Sequence, residues 1–194
     1  DLAVAISNSD RSPSELPEAL WASILGESAM KRLATASYAS NAASSSKRMA
    51  RLRAITASDR MRTSLAVDVL EQCESPCFTF VYLRGIDVLQ HSYAHLLRGD
   101  APDDGEEGLE EVVGRYHTFV DGLVGELLEA ASENAVVWVV SDHGLDLAQR
   151  PEGKRASSYN TGFHDFAPDG TWMTVGPSVH PALPTSAHVL DVMP

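Results

Sequence analysis

The sequence predicts an α/β fold in which helices flank a central sheet. Two short apolar runs, at 77–83 and 135–140, have the length and composition of buried strands. A third predicted strand lies at 171–175 and is closed by Gly176 and Pro177. Helical patterns occupy the interval between the first two runs, and such alternation is typical of an α/β layer structure.

The first third of the chain, residues 1–57, has weak apolar periodicity, and we expect helical and loop segments there. Within it, the segment 16–25 predicts a short helix, since its proline lies in the first turn, where proline is tolerated. The Ser- and Ala-rich stretch 37–47 favours a loop or a loosely held helix. Residues 58–194 are then expected to form the main α/β part, which begins with a helix over 58–72.

Apolar spacing predicts the remaining elements. A helix is predicted over 87–97, and the polar, turn-rich stretch 98–108 after it favours a surface loop. The clearest helix covers 106–131, where apolar residues recur at spacings of three and four. The run AVVWVV at 135–140 is too short for a helix and suits a central strand that is covered on both faces. Residues 146–162 predict a polar loop.

Charge and length exclude some classes of function. The 194 residues suffice for a sizeable core, and the formal net charge is -12. We therefore expect no nucleic-acid-binding surface, because such binding usually rests on a basic face. A phosphate substrate is not excluded, since bound dications can reverse the local field. No apolar run approaches the roughly 20 residues of a membrane span, so no membrane segment is expected.

Two features allow more than one interpretation. Five arginines predict a solvated helical face or, alternatively, a surface that grips an anionic substrate: Arg48, Arg51, Arg53, Arg60 and Arg62. Cys73 and Cys77 are four residues apart, and nothing in the rest of the sequence completes a Cys-based zinc site around them. We expect ordinary buried thiols, with a disulfide or redox role as the alternative.

Acidic residues and histidines occur where the predicted strands begin or end. Asp87 and His91 follow the first strand, and their spacing places both on one face of a helical turn. Asp142 and His143 follow the second strand, and His164 lies in the loop before the third. Ligands of open α/β sheets gather beyond the carboxyl ends of strands. Carboxylate oxygen and imidazole nitrogen are usual zinc ligands in catalytic sites, so these five residues predict a metal centre.

The order of these motifs resembles that of the alkaline phosphatase superfamily. The resemblance rests on the segments DVLQH (87–91), VVSDHG (139–144), TGFHD (161–165) and DGTWMTVGP (169–177). They look most like type I phosphodiesterases and nucleotide pyrophosphatases, especially bacterial phosphohydrolases with an Asp-x-x-Gln-His segment. The resemblance spans about residues 64–194 and implies an alkaline-phosphatase-like central sheet flanked by helices, with 58–194 as its metal-binding part. Residues 1–57 match the family only loosely, and the LPEAL stretch resembles a lid-like helical region of relatives, so we expect such a region there.

The resemblance also implies how the ligands divide between two divalent metal ions, zinc or alternatively manganese. Asp87, His91 and His164 match ligands of the first metal, and Asp142 and His143 match two ligands of the second. In the family, an N-terminal Asp and a nucleophilic Thr or Ser complete the second site, and no residue here matches them. We therefore expect an incomplete domain that lacks its N-terminal, nucleophile-bearing part and is almost inactive by itself.

The activity that the resemblance implies is hydrolysis of a small-molecule phosphate mono- or diester. A sulfatase, phosphonate hydrolase or phosphomutase relative is one alternative, because these enzymes share the metal scaffold. A non-catalytic metal-binding module is another, because the nucleophile is missing. The sequence leaves the oligomeric state undetermined.

Two further residues are candidates for the surroundings of the site. His95 lies one helical turn after His91, and it is expected either to pack or face solvent, or to line the substrate pocket. Asp165 directly follows His164 and is expected either to accept a hydrogen bond from a ligand imidazole or to stabilise a turn.

Overall fold

The computed structural model describes residues 24, 43–73, 77–102, 106–147, 160–177 and 179. These residues form three helices and a two-stranded sheet, namely α1 (Ala43–Gln72), α2 (Gly85–Leu97), α3 (Val112–Ala130), β1 (Val137–Val140) and β2 (Trp172–Val175). The protein is therefore α/β, as predicted. None of the helices that the structure describes is long and apolar enough to cross a membrane.

The three helices pack against one another and build the hydrophobic core. On α3, the apolar residues at spacings of three and four form one buried stripe: Val112, Val113, Tyr116, Val120 and Leu123. Leu89 and Tyr93 of α2 are completely enclosed, at 1% and 0% exposure. Burial of an apolar side chain such as Leu89 stabilises the fold by about 1.5–3 kcal/mol. The helices predicted at 87–97 and 106–131 are confirmed in type, but α2 begins at Gly85 and α3 begins only at Val112, because residues 106–111 form turns.

Helix α1 is longer than the sequence predicts. The helix expected at 58–72 is confirmed, but α1 already begins at Ala43, so the helical alternative for the stretch 37–47 applies from there. α1 also continues through residue 57, and the expected division between a lid-like region and the main part stays a prediction. The short helix expected at 16–25 lies outside the described residues, apart from Ile24, which is helical and buried.

The arginines of α1 do not form one solvated face. Arg48 is 1% exposed and pairs with Glu106, and Arg60 pairs with Glu126 of α3. These ion pairs and the buried Thr56 place polar residues on the packed side of α1, and the helix therefore lacks a clear apolar period. The alternative of contact with an anionic substrate stays a prediction.

The buried strand predicted at 77–83 is wrong. This segment lies outside every helix and strand that the structure describes, and Phe78 and Phe80 are each 79% exposed. Leu83 at its end packs against the helical core. Aromatic and β-branched residues stabilise a strand only through neighbouring strands, and the described residues provide no partner for this one.

The expectation of buried free thiols is also wrong. Cys73 and Cys77 form a disulfide, with their Cα atoms 6.4 Å apart, and Cys77 is exposed. Cys73 is the first residue after α1, and this Cα separation lies within the range that a disulfide spans. The disulfide alternative from the sequence is therefore the correct one.

Strands β1 and β2 pair antiparallel, with Val137 opposite Val175 and Val140 opposite Trp172. The strands predicted at 135–140 and 171–175 are confirmed, but β1 is not covered on both faces by the residues described. Trp138 and Val140 are 46% and 44% exposed and alternate with half-buried neighbours. This two-residue period is that of a sheet with one covered face.

Candidate metal centre

The first turn of α2 is held by a carboxylate from α1. The backbone N–H groups of Arg84 and Gly85 donate to Asp59 Oδ1 and Oδ2, at 3.2 and 2.8 Å. The Tyr116 hydroxyl donates to Asp59 Oδ2 at 3.1 Å. Asp59 thus supplies acceptors that N–H groups at a helix start otherwise lack. Asp87, two residues further on, is thereby placed relative to α1 and α3.

Burial raises the pKa of Asp59 above the ordinary value of 3.8, and the hydrogen bonds from Gly85, Tyr116 and Arg84 offset part of that rise. Burial likewise raises the pKa of Tyr116, and the nearby Asp59 carboxylate adds to the rise. Gly85 is required where these groups meet, because a Cβ there would overlap both the Tyr116 hydroxyl and Asp59 Oδ2.

His91 has one ring nitrogen engaged and the other directed at Asp87. Its Nδ1 donates to the Gly162 carbonyl oxygen at 2.7 Å, and its Nε2 lies 3.4 Å from Asp87 Oδ1. Because a carbonyl oxygen can only accept, this bond assigns the proton to Nδ1 and leaves the lone pair on Nε2. The side chain is therefore set to bind a cation through Nε2.

The loop after residue 159 lies directly against α2. The N–H groups of Thr161 and Gly162 donate to the His91 carbonyl oxygen at 2.7 and 3.1 Å. A Cβ on Gly162 would lie 2.9 Å from Ala94 Cβ, so the close approach requires glycine. His164 then places its Nε2 3.2 Å from Asp87 Oδ1.

Asp87, His91 and His164 offer ligand atoms that all lie within 4.8 Å of one another, so they could hold a metal ion. Asp87 Oδ1 and His164 Nδ1 are buried and have no hydrogen-bond partner among the described residues. A buried polar atom without a partner destabilises the fold by about 1–3 kcal/mol. A cation bound to Asp87 Oδ1 would supply the missing interaction, and one carboxylate with two imidazoles suits a divalent metal such as zinc.

Asp142 and His143 reach the same place from β1. Ser141 N donates to Thr171 O at 2.7 Å, and His143 forms a bridge with Asp169, so the β1–β2 pairing continues to this point. The ring centroid of His143 lies 3.9 Å from that of His164. The pairing of β1 with β2 therefore brings His143 to the edge of the three-residue group.

The ring centroids of His91 and His164 are 4.3 Å apart, so the imidazoles of His91, His164 and His143 are neighbours. His143 Nδ1 contacts the Gly144 carbonyl oxygen at 3.0 Å, which again leaves Nε2 with the lone pair. Asp142 Oδ1 lies 3.6 Å from His143 Nε2, although the Asp142 side chain is 75% exposed. The five residues singled out in the sequence thus lie next to one another in a continuous row of contacts.

Comparison with protein families gives one result that bears on this site. A family model described as type I phosphodiesterase / nucleotide pyrophosphatase matches residues 7–181. The chain belongs to this family. It is accordingly a member of the alkaline phosphatase superfamily, as the motifs predicted. Comparisons with curated proteins and with solved structures found no match.

Of the two accessory candidates in this phosphodiesterase-family chain, His95 is 6% exposed and does not face solvent. Its Nε2 lies 2.8 Å from Glu106 Oε2, and its Nδ1 lies 3.1 Å from Thr161 Oγ1. Asp165 is exposed in the turn that follows His164. Any part that either residue plays beside a substrate stays a prediction.

Four residues that support the site are not predicted from the sequence, namely Asp59, Glu106, Thr161 and Gly162. Glu106 falls in the stretch expected to be a surface loop, yet it is completely buried. Thr161 and Gly162 lie inside the TGFHD motif, and attention to them could have identified the backbone contact with α2. Asp59 carries no comparable signal, because its partners at Arg84 and Gly85 are distant in sequence.

Proposed function

We propose that this protein is a metal-dependent phosphohydrolase of the phosphodiesterase and nucleotide pyrophosphatase type, which acts on phosphate mono- or diesters with two metal ions. The observation that carries the proposal is the group Asp87, His91 and His164, in which a buried carboxylate oxygen has no hydrogen-bond partner among the described residues. Family membership over residues 7–181 supports the same activity.

In this proposal, Asp87 Oδ1 and the Nε2 atoms of His91 and His164 bind the first metal. Asp142 and His143 contribute to the second. Zinc is the proposed ion, with manganese as the alternative, because this donor set accepts both and availability often decides. Two such ions can stabilise the attacking and leaving oxygens of a phosphoryl displacement.

The protein's own groups prepare this site in two ways. Gly162 and Gly144 carbonyl oxygens orient the imidazoles of His91 and His143, so that each presents Nε2. The ligand set also contains only two carboxylates, so two dications would leave the site with a net positive charge. An anionic phosphate ester is then attracted locally, although the chain as a whole carries a net charge of -12.

The nucleophile is not assigned to a residue. The family implies a Thr or Ser that one metal holds and activates, and the ester would then be cleaved through a covalent intermediate on that side chain. A metal centre without a nucleophile would instead correspond to the alternative of a non-catalytic metal-binding module.

The proposal is tested by His91→Ala and Asp142→Ala in the complete natural protein. We expect each variant to lose at least about tenfold in metal affinity, and to lose hydrolysis of an aryl phosphodiester in parallel, since each removes a ligand. Metal content is measured by mass spectrometry, and hydrolysis by release of 4-nitrophenolate from bis(4-nitrophenyl) phosphate.

His117→Ala is the matched control, because His117 is exposed on α3 and its Nδ1 contacts the Val113 carbonyl oxygen of its own helix. This variant should keep both metal and activity. Unchanged metal content in both ligand variants would refute the proposed site. Tight metal binding with no hydrolysis of any ester would favour the non-catalytic module.

A further inference from the structure

A buried network of polar side chains connects α1 to the two segments that carry the first-metal ligands. We propose that Thr161 and His95, backed by Glu106 and Arg48, are positioning residues of the metal centre. They hold the loop that carries His164 against the helix that carries Asp87 and His91. The inference rests on the proposed function for the metal itself, but its evidence is the geometry of these four side chains.

This polar network begins inside the helical core. Arg48 and Glu106 are 1% and 0% exposed and are paired through Arg48 Nε and Glu106 Oε1. Glu106 Oε2 accepts a hydrogen bond from His95 Nε2 at 2.8 Å. Because a carboxylate oxygen accepts, His95 Nε2 carries a proton, and in the neutral imidazole Nδ1 then accepts from the Thr161 hydroxyl, 3.1 Å away.

Thr161 connects this polar network to the proposed metal site. Its Oγ1 also accepts from the His95 backbone N–H at 3.2 Å and lies 3.4 Å from the His91 carbonyl oxygen. Its own N–H donates to that carbonyl oxygen at 2.7 Å. The next residue, Gly162, fixes the ring of His91, and His164 is three residues away. A displacement of Thr161 would therefore move both imidazoles of the group.

Two further side chains hold the same short loop. Arg51 Nη1 of α1 donates to Asn160 Oδ1 at 3.0 Å, and Arg98 Nη1 donates to the Thr161 carbonyl oxygen at 3.0 Å. The contacts at 160–162 thus come from α1 and from α2 with the residue that follows it, and they engage both side chains and backbone of the segment that leads to His164. Such convergence on one short segment is the arrangement expected of a support for a ligand.

Stability alone does not explain a buried arginine, glutamate and histidine. Removing charged groups from water is costly, and well-packed apolar residues often give equal or greater stability in their place. A fully hydrogen-bonded buried network does, however, hold its members in one arrangement. Hydrogen bonds behind metal ligands fix ligand orientation, and their loss typically lowers metal affinity by about 10–100-fold.

The experiment compares Thr161→Val with Thr161→Ser in the complete natural protein, with cobalt(II) and zinc as probes. Valine keeps the shape but removes the hydroxyl, and we expect an approximately 10–100-fold loss of metal affinity and altered cobalt d–d absorption bands. Serine keeps the hydroxyl and should restore both. Affinity is measured by competition with a chelator, and folding by circular dichroism and thermal unfolding.

Thr118→Val is the matched control, since Thr118 is exposed on α3 and its hydroxyl donates within its own helix to Gly114 O. His95→Gln is a second probe should Thr161→Val fail to fold. Its amide can still donate to Glu106 and accept from Thr161, but in a different geometry, so it should shift the cobalt bands while remaining folded.

The outcomes separate this inference from the proposed function. Wild-type affinity and spectrum in folded Thr161→Val or His95→Gln protein would overturn the positioning role and leave the proposed function intact. Equal losses in the valine and serine variants would also overturn it, because the hydroxyl would not be responsible. Failure of the unaltered protein to bind either metal would overturn the proposed function and this inference together.

Discussion

The two groups of proposed ligands are supported by regions that differ in how they are built. Asp87 and His91 lie on α2, which packs against both other helices and carries the enclosed residue Leu89. Asp142 and His143 follow β1, which among the described residues pairs only with β2 and whose Trp138 is 46% exposed. A two-stranded sheet without further packing is at best marginally stable in water. Helix packing therefore prepares the first group, whereas the second follows a sheet that is partly exposed in the part of the chain that the structure describes.

The largest expected effect separates the two regions by stability. Leu89→Ala removes a side chain that is 1% exposed, and we expect it to lower the free energy of unfolding by about 2–5 kcal/mol. Val140→Ala on the exposed face of β1 should lower it by only about 0.5 kcal/mol, because this side chain is 44% exposed. Chemical denaturation measures both. Equal effects would mean that the helical part and the two-stranded sheet are supported alike.

The next effect concerns the start of α2. Gly85→Ala should lower the free energy of unfolding by about 1–3 kcal/mol, because its Cβ would collide with the Tyr116 hydroxyl and the Asp59 carboxylate. The matched control is Gly114→Ala on α3, where a Cβ meets nothing within 4 Å, and stability should rise by about 0.4–1 kcal/mol. A stabilising Gly85→Ala would show that the contact between α2 and Asp59 is loose.

The smallest expected effect is a pH dependence that arises at Asp59. Burial raises the folded-state pKa of Asp59, so the folded protein holds this proton more tightly than the unfolded chain. Its contribution to stability is therefore fully present below the ordinary value of 3.8 and is lost as the pH rises through the folded-state pKa. The unaltered protein and Asp59→Asn are compared by chemical denaturation at a series of pH values. The free energy of unfolding of the unaltered protein should fall relative to that of the variant as the pH rises. A constant difference would contradict the prediction.

Local patterns predicted helices at 58–72, 87–97 and 106–131, where the structure has α1, α2 and α3, and non-local pairing explains the main error. Apolar spacing along 106–131 identifies α3 because a helix closes its hydrogen bonds within a few residues. The run at 77–83 has equally strong strand composition, but a strand needs a partner from elsewhere in the chain, and none of the residues described pairs with it. Composition indicates whether a segment has residues suited to a strand, but it does not indicate whether another segment pairs with it.

The sequence and the tertiary structure likewise account for different residues of the site. The sequence by itself determined the family and predicted Asp87, His91, Asp142, His143 and His164 as ligands, because cation-binding chemistry restricts which side chains can serve. Only the tertiary structure revealed the supporting groups, since Arg48 and Glu106 are 58 positions apart and Asp59 and Gly85 are 26 apart. Such partners are ordinary polar residues whose role depends on what folding brings beside them, and short-range spacing carries no record of that.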